Sequence, residues 1–279
     1  MKLALLADIH GNYMALEACL NYIEQNYFDG IIFLGDYITD CPYPQKTISL
    51  LKNAMKVHQC WFIRGNREEY MINHHKNSND NWCYSSQTGS LLYTYENLSN
   101  DDITFFENMP IFNTINFKSC KHIVICHGSP TSIREMLLEG EENSNNCLET
   151  LEADYLFCGH THDPFKYEYK GKMLTNCGSV GLPTNNQINS QFTAIEFMSN
   201  KWKIDLISVP YNIDSLVNDF EESGIYDKGF WWSKSIVKTL QTGVNYSMLC
   251  IQKASELAGQ RNERLSEKHW EMAAKELYL

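Results

Sequence analysis

The stretch Leu3-Ala4-Leu5-Leu6-Ala7-Asp8-Ile9-His10-Gly11-Asn12 decides how the rest of the chain is read. Five apolar residues in a row suit a strand covered on both faces, and they stop abruptly at an acid, an imidazole and a glycine. The pattern then returns. Ile31-Ile32-Phe33-Leu34 leads into Gly35-Asp36, and Trp61-Phe62-Ile63 leads into Arg64-Gly65-Asn66. His122-Ile123-Val124-Ile125-Cys126 leads into His127-Gly128, and Tyr155-Leu156-Phe157-Cys158 into Gly159-His160-Thr161-His162. Five strands are thus predicted to end in five polar tips.

The intervening segments are long enough for crossover helices. In residues 12–27, Leu16, Cys19, Leu20 and Ile23 fall at i, i+3, i+4 and i+7, one apolar helical stripe. Strand–helix–strand units of this kind carry their ligand sites at the carboxyl ends of the strands, so the tips are expected to converge. Residues 192–197 and 202–209 read as a hairpin turning through Ser199 and Asn200. The polar residues 68–110, rich in Asn and Tyr, predict a helical insertion near the site mouth. These readings predict one α/β domain over residues 1–210 and a helical appendage over residues 211–279.

Composition narrows the partners. With 23 basic and 34 acidic residues the net charge is -11, which repels long nucleic acid. The ten cysteines are scattered without a CxxC pair, and Cys60, Cys126 and Cys158 sit in apolar runs, as reduced buried thiols of a cytoplasmic protein would. The apolar run of residues 3–7 is too short for a signal core or a membrane span. No P-loop, Rossmann fingerprint or Ser-centred nucleophile elbow is present.

The tips collect Asp8, His10, Asp36, Asn66, His127, His160 and His162. Imidazole and carboxylate without thiolate suit a borderline divalent metal. On an extended segment, residues two apart point the same way, so Asp8 with His10, and His160 with His162, are each expected to chelate one ion. Singly, each motif is more often a turn or a helix cap than a ligand. In this order, each behind a strand, together they specify a metal centre.

The succession D-x-H, G-D, G-N, H and G-H-x-H resembles the calcineurin-like metallophosphoesterase superfamily over about residues 1–185. It is most similar to the small bacterial and archaeal branch that opens with D-I-H-G-N. Asn176-Cys177-Gly178-Ser179-Val180-Gly181-Leu182-Pro183 is similar to that branch's N-P-G-S-x-G-x-P, with Cys177 departing from the usual Pro. The resemblance implies a four-layer α/β/β/α sandwich of two mixed sheets and two divalent metal ions, manganese first, with iron, zinc or nickel as alternatives. One ion would take Asp8, His10 and His162, the other Asn66, His127 and His160, with Asp36 bridging. The implied activity is hydrolysis of a small phosphate ester by metal-activated hydroxide, on a phosphodiester, nucleotide or dinucleoside polyphosphate. A protein Ser/Thr phosphatase and a non-catalytic scaffold are the alternatives.

Arg64 stands where related protein phosphatases carry an Arg that contacts substrate phosphate, a surface ion pair being the equal alternative. Those phosphatases also carry a general-acid His after G-N and a supporting Asp three residues after the bridging one. Here Arg67 and Thr39 occupy those positions, with Asp40 one residue late. Without the acid, esters with good leaving groups are the expected substrates. His74 and His75 are candidate substitutes for the missing proton donor, but seven and eight residues past Arg67 they read first as solvated helix or loop histidines. Trp231 and Trp232 are expected to be packing residues, or else a stacking pocket or a dimer contact. His58, His122 and His269 match no motif.

Overall fold

In the computed structural model, which describes residues 1–77 and 79–279, the continuous apolar runs become the central strands of two mixed five-stranded sheets. The chain runs through β1 (Lys2–Leu6), α1 (Tyr13–Gln25), β2 (Gly30–Phe33), α2 (Pro44–Val57), β3 (Cys60–Phe62), α3 (Asn66–Lys76), α4 (Gly89–Glu96) and α5 (Asn100–Glu107). It continues through β4 (Phe112–Ile115), β5 (Ile123–Cys126), α6 (Glu142–Thr150), β6 (Tyr155–Cys158), β7 (Phe165–Tyr169), β8 (Lys172–Asn176), β9 (Ser190–Met198) and β10 (Lys201–Val209). Four helices close the chain: α7 (Ile213–Glu222), α8 (Ile225–Thr242), α9 (Tyr246–Gln260) and α10 (Glu267–Glu276).

The first sheet is ordered β10-β9-β1-β2-β3 and the second β4-β5-β6-β8-β7. β1, β2 and β3 run parallel, with Leu3 opposite Gly30 and Ile31 opposite Cys60, so the tips after them sit at one edge. β5, β6 and β8 are likewise parallel. The hairpin of β9 and β10 pairs antiparallel onto β1. β4 and β7 are the antiparallel edges of the second sheet, and the sequence reading missed both, along with β8. The edges carry no apolar run because one face is wet: β7 alternates half-buried and exposed residues along its length.

Alternation along β1 explains the layering. Leu3 and Leu5 face inward and pack with Ile32, Ile123, Ile125 and Phe157 between the sheets. Ala4 and Leu6 face outward and pack with Leu16, Cys19, Ile23 and Leu51 of α1 and α2. Val124, Leu156 and Leu174 meet Leu148 of α6 on the far side. The result is a four-layer α/β/β/α sandwich, each buried Leu or Ile contributing about 1.5–3 kcal/mol. α1 starts where Asn12 accepts from the Ala15 N–H at 3.0 Å.

Within residues 68–110 the described residues form α4, α5 and most of α3, which begins at Asn66 itself. α7 and α8 share a core with the sandwich loops: Leu216, Phe220, Ile236 and Leu240 bury Cys41 and Leu182. α8 is bent at Phe230 (φ 43°), just before Trp231 and Trp232. Among the described residues no helix is long and apolar enough to cross a membrane.

Candidate metal centre

The five tips meet at the carboxyl edge of the parallel strands, three of them on strained backbone. Asp8 (φ 54°), His10 (50°), Asp36 (53°), His160 (71°) and His162 (62°) all lie in the left-handed region that non-glycine residues avoid. The segments are therefore not extended. Asp8 and His10 still share a cluster, but the expectation that His160 and His162 chelate one ion is corrected: they fall in different clusters. One cluster joins Asp8, His10 and His162, the other Asp36, His127 and His160. The close approach requires glycine too, since a Cβ on Gly35 would lie 2.6 Å from the Gly65 nitrogen.

Asp36 stands between the clusters. Its Oδ2 is 3.9 Å from His10 Nε2 and its Oδ1 3.4 Å from His127 Nε2. Asn66 Oδ1 lies 3.1 Å from the same His127 nitrogen. A backbone carbonyl can only accept, so Nδ1 of His127 donates to Leu34 O at 2.8 Å and Nδ1 of His162 to Leu182 O at 2.7 Å. His10 Nδ1 donates to Asp40 Oδ2 at 2.9 Å. In all three rings Nε2 is left facing inward, and the Nε2 atoms of His10 and His162 are 3.0 Å apart. Asp8 accepts from the His160 N–H through Oδ2 at 2.9 Å, while its Oδ1 is buried with no hydrogen-bond partner. Inward lone pairs and an orphaned carboxylate oxygen are the donor set of a cation site, so the residues present fit two divalent ions.

The electrostatics separate the clusters. Burial pushes Asp8 up, to about 6. Burial acts on Asp36 as well, but His127, His10 and Arg67 outweigh it and hold that carboxyl far below the usual range. Burial lowers His160 to about 4 and His162 to about 3, leaving both rings neutral near pH 7. For His127 burial is overcome by the facing Asp36, which raises the ring to about 9.

Three supporting residues escaped the sequence reading. Glu68 is fully buried and accepts from the N–H groups of Asp36 (2.9 Å), Tyr37 (2.8 Å) and Gly65 (2.9 Å), locking two tips together. The only signal for it was an acid three residues into a helix that starts behind a glycine. Asp40, one residue late in sequence, reaches position 67 after all because Thr39 (φ 80°) and Asp40 (φ 70°) turn left-handed. It sits 3.3 Å from the Arg67 guanidinium and accepts from Trp232 Nε1 at 2.8 Å. Trp232 is therefore a polar support as well as a packing residue, and nothing local to it announced this.

Arg64 is not brought into the site. Its Nε pairs with Glu69 at 3.1 Å, and it is not among the residues lining the cleft. Arg67 is the guanidinium that lines the cleft. His74 stacks on Trp82 and bonds Asp80, and His75 bonds Tyr95, so neither is placed to protonate a leaving group. The cleft over the clusters measures about 560 Å³. A larger cavity of about 780 Å³ lies beside the edge strand β4 and is lined by none of the residues of the two clusters.

The sequence profile of the calcineurin-like phosphoesterase superfamily domain matches residues 1–198. An uncharacterised protein of Methanocaldococcus jannaschii is 28% identical over 230 residues, 76% of this chain and 88% of its own length. A hypothetical protein of Pyrococcus horikoshii superposes with a TM-score of 0.73 at 20% identity, over 87% of this chain and 98% of that one. A metallophosphoesterase of Sphaerobacter thermophilus superposes with a TM-score of 0.71 at 21% identity, over 88% and 99%. At these identities the likeness is one of fold, and it reaches past the profile into the C-terminal helices.

Proposed function

This chain belongs to the calcineurin-like phosphoesterase superfamily, and on that premise we propose that it is a dinuclear metal-dependent hydrolase of small phosphate esters, with phosphodiesters as the preferred class. One observation carries the reading: six ligand-type side chains gather in two clusters with Asn66 beside the second, three of the imidazoles being tied outward through Nδ1 so that Nε2 faces the centre. Two divalent ions held there would supply Lewis-acid activation of water and offset charge on the phosphoryl oxygens. Among manganese, iron, zinc and nickel, all suited to this donor set, manganese is our assignment.

The chain's own residues divide the work. Asp36 faces both clusters and reduces the repulsion between two dications. Asn66 adds an oxygen without adding charge. Arg67, held by Asp36 and Asp40, offers a planar fork to non-bridging phosphoryl oxygens, but a guanidinium keeps its protons and cannot serve as general acid. The leaving group then departs without help from a protein acid, which favours aryl esters and other good leaving groups. The same reading places the protein, with its free thiols, in a reducing cytoplasm.

The test is metal content of the purified protein together with hydrolysis of bis(4-nitrophenyl) phosphate in added manganese. Wild type is expected to bind two ions, and Asp36→Asn to lose metal and on the order of 10³-fold in rate. A variant that keeps both would remove the bridging role. Wild type that binds metal but cleaves no ester would instead support the scaffold reading.

A further inference from the structure

The cleft is larger than a phosphoryl group requires. Its volume of about 560 Å³ falls within the roughly 300–1,000 Å³ of sites that enclose a whole organic ligand. Beyond the donors five apolar side chains line the space, beside the uncharged polar Thr161, Thr184, Asn245 and Ser247. Met136 and Leu138 come from the segment between β5 and α6, Leu182 from the segment after β8, Trp232 from α8 and Met248 from the first turn of α9. Met136, Leu138 and Met248 are 56%, 40% and 45% exposed, large apolar side chains left open to solvent at the rim.

The same lining is poor in positive charge. Among the described residues around the cleft, Arg67 is the one Lys or Arg, and Asp36 and Asp40 already pair with it. Asp163 adds a further acid. A second or third phosphate on the substrate would find no cation outside the metal centre and would meet a carboxylate there.

We propose that this site takes a monoanionic phosphodiester whose second ester group is an uncharged aromatic ring, seated against Met136, Leu138 and Met248. Thioethers make favourable contacts with aromatic rings, and Trp232 provides a further flat apolar face. The C-terminal helices thereby become one wall of the substrate site. This inference rests on the phosphoesterase reading and narrows it: dinucleoside polyphosphates and acidic phosphopeptides are disfavoured.

The experiment uses the full-length protein with manganese and three diesters that release the same 4-nitrophenolate: methyl, phenyl and thymidine 5′-(4-nitrophenyl) phosphate. The chemical step is held constant and only the retained group changes. The phenyl ester is expected to exceed the methyl ester in kcat/KM by at least about tenfold, mostly through KM. The thymidine ester separates a bare aryl preference from one for a nucleobase. Met248→Glu and Leu138→Glu should each cut the phenyl-to-methyl ratio at least about fivefold, while Met248→Leu retains it. Because the ratio is taken within one protein, partial loss of folded enzyme cancels. A smaller wild-type preference, a ratio unmoved by both charged variants, or faster cleavage of a dinucleoside tetraphosphate than of the thymidine diester overturns the inference and leaves the phosphoesterase reading standing. Failure to cleave any ester with manganese, iron, zinc or nickel ends the phosphoesterase reading, and this inference with it.

Discussion

The two clusters differ in what stands behind them. His127 of the second cluster is backed by the carbonyl of Leu34, backbone that directly follows β2, and it moves only if the first sheet moves. His10 of the first cluster is backed by the side chain of Asp40, on a loop. That carboxylate is in turn held by Arg67, by Thr39 Oγ1 at 3.0 Å, by Ser90 Oγ of α4 at 3.4 Å and by Trp232 Nε1 of α8 at 2.8 Å. One site is built into the sandwich. The other is braced from outside it, by helices at residues 89–96 and 225–242. Changes in the C-terminal helices should therefore reach the first cluster and spare the second.

Proton competition gives the largest contrast. In metal-free protein His127 is raised to about 9 by Asp36 against the pull of burial, so at pH 7 its Nε2 carries a proton that must leave before it can ligate. Affinity at the second cluster should then fall about tenfold per unit below pH 9, or about 100-fold between pH 8 and pH 6. In the first cluster His162 is already neutral, its ring lowered to about 3 by burial, and Asp8 titrates only near 6. That site should be nearly flat above pH 7. Calorimetric metal titrations in buffers of different ionisation enthalpy read both quantities. Two sites with the same pH slope would erase the distinction.

Asp40→Asn tests the brace directly. The amide keeps the shape but loses the charge that orients His10, and such supporting carboxylates contribute about 10- to 100-fold in metal affinity. One of the two ions should weaken by that factor while the other is unmoved. Equal weakening of both would mean that Asp40 acts on the whole centre, through Arg67 and Asp36. Trp232→Phe should do the same more gently, by about three- to tenfold at the first cluster alone, since it removes one hydrogen bond to a carboxylate. An effect as large as that of Asp40→Asn would show that the helix itself, and not the indole N–H, holds the loop.

The legible part of the molecule was the part whose cause is local. A strand covered on both faces must be continuously apolar, so β1, β2, β5 and β6 announced themselves, and the tip residues were readable because ligand chemistry restricts them to His, Asp and Asn. The edge strands β4 and β7, half wet, gave no such signal. His160 and His162 show where locality ends: their identity as donors was plain from sequence. The alternation rule put both on one ion and only the family resemblance separated them, because the left-handed backbone at 160 and 162 leaves no mark in the local pattern.

From the sequence alone came the strand–helix–strand units, the order of the donors and their ligand chemistry, because burial pattern and ligand type are properties of short segments; the four-layer sandwich came through the family resemblance. Tertiary structure alone decided that Arg67 rather than Arg64 lines the cleft and that Glu68 binds two tips together. It also decided that Asp40 and Trp232, separated by 192 residues, hold one imidazole in place. Those contacts depend on where distant loops and helices come to rest when the layers pack, and a burial pattern within one segment carries no record of which remote residue will end up against it.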